Sequence, residues 1–451
     1  MELRTLFGVL RQIRFLRAHE RWARPRLEAY QAEALQSLRE YVYARSPFYR
    51  EFHRGLLDRP LSELPVLTKA TVMARFDDLV TDRDIRLEGV REYAASAAGE
   101  RPYLGRYRVT ATSGSSGHPG FFLFSAPEWL TVIASFARGQ AWAGAPVNLL
   151  RRRRMATVAS VSPWHMSAQV SDTARTWWTP SIHLSASDPL ETIVAKLNAW
   201  RPHQLIAYAS MARILAAEQL DGRLRIAPEQ VFVSSEVLTD ETRRLAKKVW
   251  GNEPFNQYGA TETADIAAEH WGCRRMHVFD DLLIVEVVDE QYRPVPRGEY
   301  GAKLLVTSLF GRTQPLIRYE LNDSVRLSPD VCPCGLPFDA LDGIQGRIED
   351  ALSLPATLGG RISIEPLVFN EIMDTLPVSG WQVIQEVDDG LTVMLSGARD
   401  VFAEPALQAQ LSQALAARGA MVPRLTIRRV DAIPKTSAGK TPLVKSYRPP
   451  A

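Results

Sequence analysis

Hydrophobic and polar positions alternate along the chain with two different periods. Residues 1–105 carry apolar side chains at the three- and four-residue spacing of amphipathic helices, most clearly in LEAYQAEALQSLREYVYARS. From residue 110 short apolar runs alternate with helical segments. The predicted strands lie at 155–162, 204–210 and 230–236, and the predicted helices at 188–200 and 239–251. This alternation predicts a parallel α/β sheet, in which ligand sites lie beyond the carboxyl ends of the strands.

Capping and turn residues mark the ends of two of these helices. Asp188-Pro189 and Thr239-Asp240 are residue pairs that open helices, whereas Gly251 is a residue that closes one. Both predicted helices are therefore expected to begin at these pairs, and the second to end at Gly251.

The pattern changes after residue 278. The stretch at 278–327 predicts strands around a Pro/Gly turn region, as in antiparallel sheet. Beyond GIQGRIEDAL, about 100 residues predict a smaller α+β unit with an Asp-Asp-Gly hairpin, a helix at 404–417 and the strand RLTIRRV. The tail from Pro434 shows no core pattern.

Composition is that of an ordinary globular protein. A chain of 451 residues predicts two or three folding units, and a formal net charge of +3 gives no reason to expect nucleic acid as a partner. No apolar run reaches the roughly 18 residues of a membrane helix, so no membrane partner is expected. Three cysteines do not form a disulfide framework, and the expected compartment is a reducing cytoplasm.

The stretch TATSGSSGHPG at 110–120 concentrates glycine and hydroxyl residues in a predicted loop. Two glycines allow backbone N–H groups to point into one concavity and three serine hydroxyls add donors, which is the chemistry of an anion-binding nest. These residues are Ser113, Gly114, Ser115, Ser116 and Gly117. Alone, such a loop is as often a surface turn. It does not have the P-loop spacing, and His118 stands where a P-loop has lysine, so the P-loop hypothesis is rejected.

Four further segments give this loop a context. NQYGATET lies at 256–263, RYELNDSV carries Asp323, GRIEDAL carries Arg347 and Glu349, and IPKTSAGKTP carries Lys440. In order and interval, the five segments resemble the signature motifs of the adenylate-forming superfamily of acyl-CoA synthetases, peptide-synthetase adenylation domains and luciferases. EYVYARSPFYREFHRG, LPVLTKATVM and FVSSEVLTDETRR look most like the phenylacetate–CoA ligase branch. The resemblance covers nearly the whole chain from about residue 35.

The resemblance implies a reaction and a domain organisation. A carboxylic acid, aromatic in this branch, would attack the α-phosphate of ATP, release pyrophosphate and form an acyl-adenylate that is passed to coenzyme A, with Mg²⁺ as the metal. An N-terminal domain (1–346, with a helical lead-in at 1–105) would bind ATP and the acid. A small α+β domain (347–451) would act as a mobile lid that turns about Glu349. A homodimer is a further expectation.

The resemblance also implies three catalytic residues. Lys440 would bring positive charge to the carboxylate and the α-phosphate, and Thr261 would donate its hydroxyl to that phosphate. Glu262 would be a ligand of Mg²⁺, a cation that prefers oxygen ligands. Taken singly, each would be an ordinary solvated residue, and only their joint order supports the assignment.

The remaining implied contacts are with the nucleotide. Tyr258 would lie against adenine, Asn256 would accept from its exocyclic amine, and Asp323 would accept from the ribose hydroxyls. The Gly/Ser loop would hold the β- and γ-phosphates. The rest of the nucleotide-binding set is Ser235, Glu236, Gln257, Gly259 and Arg347.

The chain departs from the superfamily pattern in three places. His118 replaces the loop lysine, Asn322 replaces the glycine before Asp323, and SLPATLGGRISIEP lacks the usual compact glycine-rich form. Two alternatives therefore stay open. The acyl group could pass to a carrier protein or an amine instead of coenzyme A, or the chain could be a catalytically weak nucleotide-binding homologue.

The three cysteines fall in two short segments that also hold a histidine. Cys273 and His277 are four residues apart, and Cys332 and Cys334 form a Cys-x-Cys-Gly turn. Together they supply the four ligands of a tetrahedral structural zinc site, with His270 as a substitute for His277. The alternative is three unrelated buried thiols.

Two segments are candidates for contacts with the acid and with coenzyme A. SVSPWHMSAQV follows a predicted strand where the superfamily builds its acyl pocket, and an aromatic wall there suits an aryl ring. The predicted acid-binding residues are Trp164, His165, Tyr208 and Ala209. Arg151–Arg154 could meet the phosphates of coenzyme A, although such a run is more often a solvated loop.

Overall fold

The computed structural model describes most of the chain. The described residues are 3–96, 101–112, 119–148, 150–347, 351–364, 366–373, 376, 378, 380–397, 403–435 and 440–447. The Gly/Ser loop at 113–118 and the proposed hinge Glu349 lie outside these residues.

The N-terminal part is helical, as the hydrophobic spacing predicted. Thr68 opens one of its helices by accepting a hydrogen bond from the backbone N–H of Thr71 at 3.2 Å, and Ser46 accepts from Tyr49 in the same way. These helices pack on the large sheet through residues such as Leu16 and Leu38. Their bounds are α1 Leu3–His19, α2 Arg24–Arg45, α3 Pro47–Phe52, α4 Lys69–Ala74, α5 Phe76–Leu79 and α6 Leu87–Ala95, with a 3₁₀ turn at Leu61–Glu63.

A strand pair and a long helix follow. β1 (Tyr107–Ala111) and β2 (Phe121–Ser125) are antiparallel and flank the Gly/Ser loop. α7 (Ala126–Trp142) begins with a capping box formed by Ser125 and Glu128. Its apolar face packs on the large sheet.

The central feature is a nine-stranded sheet with both strand orientations. Its parallel half is built from strands that alternate with helices, as predicted for the parallel α/β part of the chain. Its other strands are antiparallel. The parallel half comprises β3 Met155–Ala159, α8 Met166–Ala174, β4 Ser181–Ser185, α9 Leu190–Trp200, β5 Gln204–Tyr208, α10 Ala209–Leu220, β6 Gln230–Ser234, α11 Asp240–Trp250 and β7 Phe255–Ala260. The strands that follow are β8 Ala264–Glu269, β9 Met276–Val278, β10 Leu283–Val288, β11 Lys303–Ser308, β12 Tyr319–Leu321, β13 Asp323–Leu327 and β14 Ala340–Arg347.

The predicted capping residues are found where expected. Thr239 accepts from the N–H of Thr242 at 3.3 Å to open α11, and Gly251 closes it with φ of 77°. α9 begins one residue after Asp188-Pro189 without a side-chain cap. Strands β10, β11 and β12 form a separate antiparallel sheet, which confirms the prediction of antiparallel strands after residue 278.

The C-terminal part has its own hydrophobic core. Trp381, Phe369 and Leu411 are among the residues that form it, all from positions beyond 351. The predicted hairpin is present and turns at Asp389, which has φ of 66°. The elements are β15 Leu352–Pro355, β16 Arg361–Ile364, α12 Leu367–Met373, β17 Gly380–Gln385, β18 Leu391–Ser396, α13 Glu404–Ala416, β19 Leu425–Val430 and β20 Val444–Ser446.

The tail contributes a short strand although its sequence shows no core pattern. Val444 is 2% exposed and lies opposite Val383, so that β20 extends the C-terminal sheet in the order β19-β18-β17-β20. The apolar signal is only the dipeptide Leu443-Val444, which is too short to show a period of two.

The mixed α/β fold class with a smaller C-terminal unit is thus confirmed, while the exact domain boundary at 346/347 stays a prediction. Across the described part of the chain, every helix is too short or too polar to cross a lipid bilayer.

Candidate active site

The carboxyl ends of β5, β6 and β7 lie side by side in the sheet and bring several predicted residues to one edge. Tyr208 ends β5, Ser235 follows β6, and Tyr258 lies near the end of β7. Ser235 has φ of 67°, a left-handed conformation that a serine adopts only where its surroundings hold it. Such backbone conformations cluster at functional sites.

Tyr258 and Asp323 are directly hydrogen-bonded. The Tyr258 hydroxyl donates to Oδ2 of Asp323 at 2.7 Å. Asp323 opens β13 and lies opposite Arg347 in the pairing of β13 with β14, although the Arg347 side chain is outside the described part. Two motifs 65 residues apart are thereby joined into one polar surface.

The turn between β7 and β8 positions Thr261 and Glu262. The carbonyl of Thr261 accepts from the hydroxyl of Thr110 at 3.4 Å, which ties the turn to the strand that leads into the Gly/Ser loop. The hydroxyl of Tyr319 donates to Oε1 of Glu262 at 3.3 Å. Near the end of β7, a Cβ at Gly259 would lie 2.7 Å from the carbonyl oxygen of Ala264, so only glycine fits.

Lys440 reaches this edge from the C-terminal part of the chain. Its Nζ lies 5.5 Å from the centre of the Tyr208 ring. The next residue, Thr441, donates its backbone N–H to Oε1 of Glu236 at 3.0 Å, and Ser210 donates its N–H to Oε2 of the same carboxylate at 2.8 Å. Burial raises the pKa of Glu236, against the effect of these bonds and of Lys440.

A second lysine of the same segment also crosses to the N-terminal part. Lys435 donates from Nζ to the carbonyl of Ala186 at 2.6 Å, and burial lowers its pKa. Sequence reasoning missed both Lys435 and the partnership of Glu236 with Thr441. Lys435 lies five residues before Lys440, and that proximity is the one signal that could have drawn attention to it.

The residues predicted to contact the acid have different surroundings. Trp164 belongs to a hydrophobic cluster and meets the ring of Tyr93 edge-on at 5.3 Å. Tyr208 is buried and its hydroxyl accepts from the N–H of Ser160 at 2.9 Å, while burial raises its pKa to about 12. Burial, aided by nearby Lys440, lowers the pKa of His165. Ala209 is buried at the start of α10.

Asn256 and Gln257 differ in the faces of β7 they occupy, because successive side chains point to opposite faces of a strand. Gln257 is 7% exposed and faces α7, where a methyl group at Gly139 would overlap its Nε2. Asn256 is partly exposed and pairs with Val233 of β6. The side chain of Gln257 is therefore not on the face that carries Tyr258.

The Arg151–Arg154 run lies away from the candidate site. Because it directly precedes β3, it lies at the amino ends of the parallel strands, whereas the candidate site lies at their carboxyl ends. Arg151 pairs with Glu229, and Arg154 donates from Nε to the carbonyl of Arg201 at 3.0 Å. The run is therefore not at the end of the sheet where Tyr258 and Lys440 lie.

The two cysteine segments come together as predicted. Cys273, His277, Cys332 and Cys334 place their ligand atoms within 4.8 Å of one another. Nε2 of His277 is 3.5 Å from Sγ of Cys273 and 3.3 Å from Sγ of Cys334. Burial lowers the pKa of His277 to about 4, so its imidazole is neutral at pH 7. His270 is further away, with Nδ1 3.9 Å from Sγ of Cys273.

Comparisons with known proteins agree with this geometry. No family model matches the chain. The phenylacetate-coenzyme A ligase of Thermus thermophilus is 26% identical over 341 residues, 73% of this chain and 72% of that protein.

Solved structures show the same fold. 2-Hydroxyisobutyryl-CoA ligase in the postadenylation state, in complex with 2-HIB-AMP, has a TM-score of 0.74 and 18% identity over 94% of this chain and 90% of its own. The same enzyme in the thioesterification state, with 2-HIB-AMP and CoA, has a TM-score of 0.60 and 17% identity over 96% and 92%. The sequence similarity and the shared fold confirm the prediction that the chain belongs to the adenylate-forming superfamily.

Proposed function

We propose that this protein uses ATP to activate a carboxylic acid as an acyl-adenylate, with release of pyrophosphate, and then transfers the acyl group to coenzyme A. The observation that carries the proposal is the position of Lys440, beside Tyr208 at the edge where Tyr258 and Asp323 also meet. A cation, an aromatic ring and a carboxylate from distant parts of the chain are the groups that a nucleotide and an attacking carboxylate require. The relationship to a phenylacetate-coenzyme A ligase supports it.

The nucleoside would be held at the Tyr258–Asp323 pair. The carboxylate of Asp323 accepts from the Tyr258 hydroxyl, and as a group that only accepts hydrogen bonds it would also accept from the ribose hydroxyls. Tyr258 would offer its ring to adenine, and Asn256, partly exposed on the same face of β7, would reach its exocyclic amine. The Gly/Ser loop, which begins after β1, would contact the outer phosphates.

Charge at the reacting phosphate would be balanced by three residues. Glu262, held by Tyr319, is the kind of oxygen ligand that Mg²⁺ prefers, and the ion would neutralise phosphate charge there. The Thr261 hydroxyl would donate to the α-phosphate. Lys440 would stabilise the negative charge that develops as the substrate carboxylate attacks phosphorus and pyrophosphate leaves.

The two half-reactions would use different arrangements of the C-terminal part. Lys440 is held at the site by the Thr441–Glu236 bond, the arrangement that adenylation requires. The TM-score is higher against the postadenylation state of the solved ligase (0.74) than against its thioesterification state (0.60), which supports this assignment. Rotation about Glu349 would then remove Lys440 and admit coenzyme A, a case of conformational gating.

We infer an aromatic acid as the substrate class. Trp164 and Tyr93 form an aromatic wall beside His165, and His165 lies near Lys440. An aryl ring packs well on such a wall.

Pyrophosphate release with a panel of aryl and aliphatic acids tests the first half-reaction. We expect release with at least one aryl acid, and none without an acid. The acceptor is identified by adding coenzyme A, a phosphopantetheinylated carrier protein or an amine. The mass of the product is then determined by mass spectrometry. Release with none of the acids would overturn the proposal in favour of a nucleotide-binding homologue without this activity.

We also propose that Cys273, His277, Cys332 and Cys334 bind a structural zinc ion. A tetrahedral site with Zn–S of about 2.3 Å and Zn–N of about 2.0 Å has N···S edges of about 3.5 Å, close to the 3.5 and 3.3 Å found here. Nδ1 of His277 lies 3.3 Å from the carbonyl of Phe338, the contact that orients a metal-binding histidine. The ion would tie the β8–β9 hairpin to the loop before β14.

A further inference from the structure

The outward side of α1 combines aromatic and basic residues, and the sequence of this helix holds no acidic residue. The inward side packs on α7 and the core through residues such as Val9 and Leu16, which are buried. On the outward side, Phe7 is 69% exposed and Phe15 is 46% exposed. At about 100° per residue, the exposed positions cover an arc of about 160° of the helix. They are Phe7, Arg11, Arg14, Phe15, Arg17 and Ala18, and together they are called the α1 face.

Contacts extend the α1 face on both of its flanks. On one flank, the ring of Phe15 meets the ring of His19 edge-on at 4.3 Å, and His19 stacks on Trp22 at 3.9 Å. On the other flank, Arg17 and Val147 line the same small cleft between α1 and the end of α7. Val147 is itself exposed. The α1 face is therefore the centre of a wider surface to which aromatic, basic and aliphatic side chains contribute.

The charge of this region differs from that of the protein as a whole. Residues 3–26 contain seven arginines and one glutamate, whereas the whole chain has 54 basic and 51 acidic residues. The glutamate, Glu20, is directed towards α7, where it accepts from Nε1 of Trp142 at 3.1 Å and lies 3.6 Å from Nε of Arg138. The outward surface of α1 is therefore strongly positive.

Two arginines of the α1 face also lack the ion pairs that hold arginines elsewhere on the surface. Arg11 and Arg14 form no salt bridge with any carboxylate of the described residues. Exposed arginines in other parts of the chain are paired with an acidic neighbour, and examples are Arg75, Arg106, Arg223 and Arg293. A guanidinium group without such a neighbour can bind phosphate, for which its planar set of donors is well suited.

The two kinds of residue together indicate the chemistry of the partner. Exposed apolar side chains bordered by charged ones mark surfaces that bind a protein or a membrane. Helices that lie in the interface of a bilayer carry phenylalanine for the acyl boundary and arginine for the lipid phosphates. Duplex nucleic acid would engage the arginines through its phosphates but would leave Phe7 and Phe15 in water.

A second copy of the chain does not suit the α1 face. In a two-fold contact, the same residues of the two copies meet each other. Because the face contains arginines and no acidic residue, such a contact would place arginine against arginine. Repulsion between these charges opposes the association.

We propose that the α1 face binds the surface of a membrane that contains anionic phospholipids. Phe7 and Phe15 enter the acyl boundary, and the arginines of the face lie at the lipid phosphates. The sequence predicts no membrane partner because no apolar run is long enough to span a bilayer, but a helix that lies in the interface needs no such run. The proposal does not depend on the proposed function, which it extends by bringing the candidate active site to a membrane surface.

Co-sedimentation of the full-length protein with lipid vesicles tests the proposal. Vesicles of phosphatidylcholine are compared with vesicles of equal parts phosphatidylcholine and phosphatidylglycerol. We expect binding to the anionic vesicles to be at least about 10-fold tighter, and to weaken as the salt concentration is raised. Equal binding to both kinds of vesicle, or binding to neither, would overturn the proposal. Binding to duplex DNA without binding to the anionic vesicles would overturn it in favour of nucleic acid.

A charge-reversal variant assigns the binding to α1. Arg11→Glu combined with Arg14→Glu should weaken binding to the anionic vesicles at least about 30-fold, since each arginine near such a surface contributes roughly a factor of five. Arg244→Glu combined with Lys248→Glu makes the same change of charge at exposed positions of α11 and is the matched control. We expect this control to bind as the wild type does. A similar loss in both variants would overturn the assignment, because attraction would then follow net charge alone.

A second variant tests the insertion of the aromatic side chains. Phe7→Ser should weaken binding about 10-fold, because the serine side chain gains nothing from the acyl boundary. Leu358→Ser, at a fully exposed apolar position in the β15–β16 turn, is the control and should bind normally. Undiminished binding in Phe7→Ser would overturn the proposed insertion. Pyrophosphate release in solution should be the same in all four variants, because none of these residues belongs to the candidate active site.

Discussion

The backbone N–H of Thr441 donates to Oε1 of Glu236 at 3.0 Å, and this bond joins the C-terminal tail to the carboxyl end of β6. The other oxygen of Glu236 accepts from Ser210, so that one carboxylate connects two backbone segments. Because Lys440 directly precedes Thr441, the bond also determines where the lysine lies. Glu236 was expected from the sequence to contact the nucleotide; its observed contacts fit a residue that positions Lys440.

Glu236→Gln is expected to slow adenylation selectively. Glutamine has only one oxygen to accept from the backbone N–H groups of Thr441 and Ser210. Its NH₂ group would face the other N–H, and two donors cannot form a hydrogen bond. The loss of a charged hydrogen bond, about 1.5–3 kcal/mol, corresponds to a roughly 10- to 100-fold fall in acyl-adenylate formation. Pyrophosphate release measures this step, and thioester formation from supplied acyl-adenylate should be little changed. Glu229→Gln, at the opposite edge of the sheet, is the control. Equal loss in both half-reactions would point to a general loss of structure instead.

Lys440→Ala is expected to abolish acyl-adenylate formation and to leave transfer from a supplied acyl-adenylate largely intact. The lysine supplies charge to the transition state of the first step, whereas the second step has no phosphorus undergoing attack. Lys445→Ala provides the comparison, since Lys445 is an exposed residue of the same tail that contacts Tyr447. Unchanged pyrophosphate release in Lys440→Ala would refute the assignment of this residue.

The cysteine cluster predicts that the protein contains zinc and that His277, not His270, is the histidine ligand. The purified protein is expected to hold about one equivalent of zinc, and Cys334→Ser and His277→Ala should lose it and melt at lower temperature. His270→Ala should keep the ion, because His270 is further from the thiols than His277. Elemental analysis checks the series. Less than a tenth of an equivalent in protein never exposed to chelators would reject the zinc site.

Sequence patterns predicted the elements that carry a strong period or a clear cap, and failed where the information is non-local. The helix from Asp240 to Trp250 has both an amphipathic pattern and caps at Thr239 and Gly251, and its predicted bounds of 239–251 differ from the observed ones by one residue at each end. β20 offers two apolar residues and forms only because β17 provides a partner strand.

The candidate site also contains residues that the sequence predicted and features that it could not predict. Motif residues such as Tyr258, Asp323 and Lys440 could be named because the resemblance orders them along the chain. That Oδ2 of Asp265 has no hydrogen-bond partner among the described residues could not be predicted, because this depends on every group that surrounds the side chain in the fold. The same is true of the bond between Glu236 and Thr441, whose residues are 205 positions apart.

Asp281→Asn is expected to be strongly destabilising. Both carboxylate oxygens accept from the guanidinium of Arg138 at 2.7 Å, and His19 contacts Oδ2 at 2.7 Å, all within the core beneath α1 and α7. Removing the charge leaves the buried Arg138 with only Glu20, 3.6 Å from its Nε, as a counterion, and breaking such a buried pair costs about 3–5 kcal/mol. Urea unfolding at pH 7 measures this loss.

The same pair predicts a pH dependence. Burial alone would raise the pKa of Asp281, but the charge and hydrogen bonds of Arg138 and the bond with His19 outweigh it and lower the pKa. A carboxylate with a depressed folded-state pKa stabilises the fold above its unfolded pKa of about 3.9, and this contribution is lost as the pH falls through the lower folded value. The difference between wild type and Asp281→Asn should therefore be constant near neutral pH and shrink below about pH 4. Asp289→Asn, in a solvent-accessible pair with Arg293, is the control and should cost much less stability than Asp281→Asn. A comparable loss in the two variants would contradict the importance given to the buried pair.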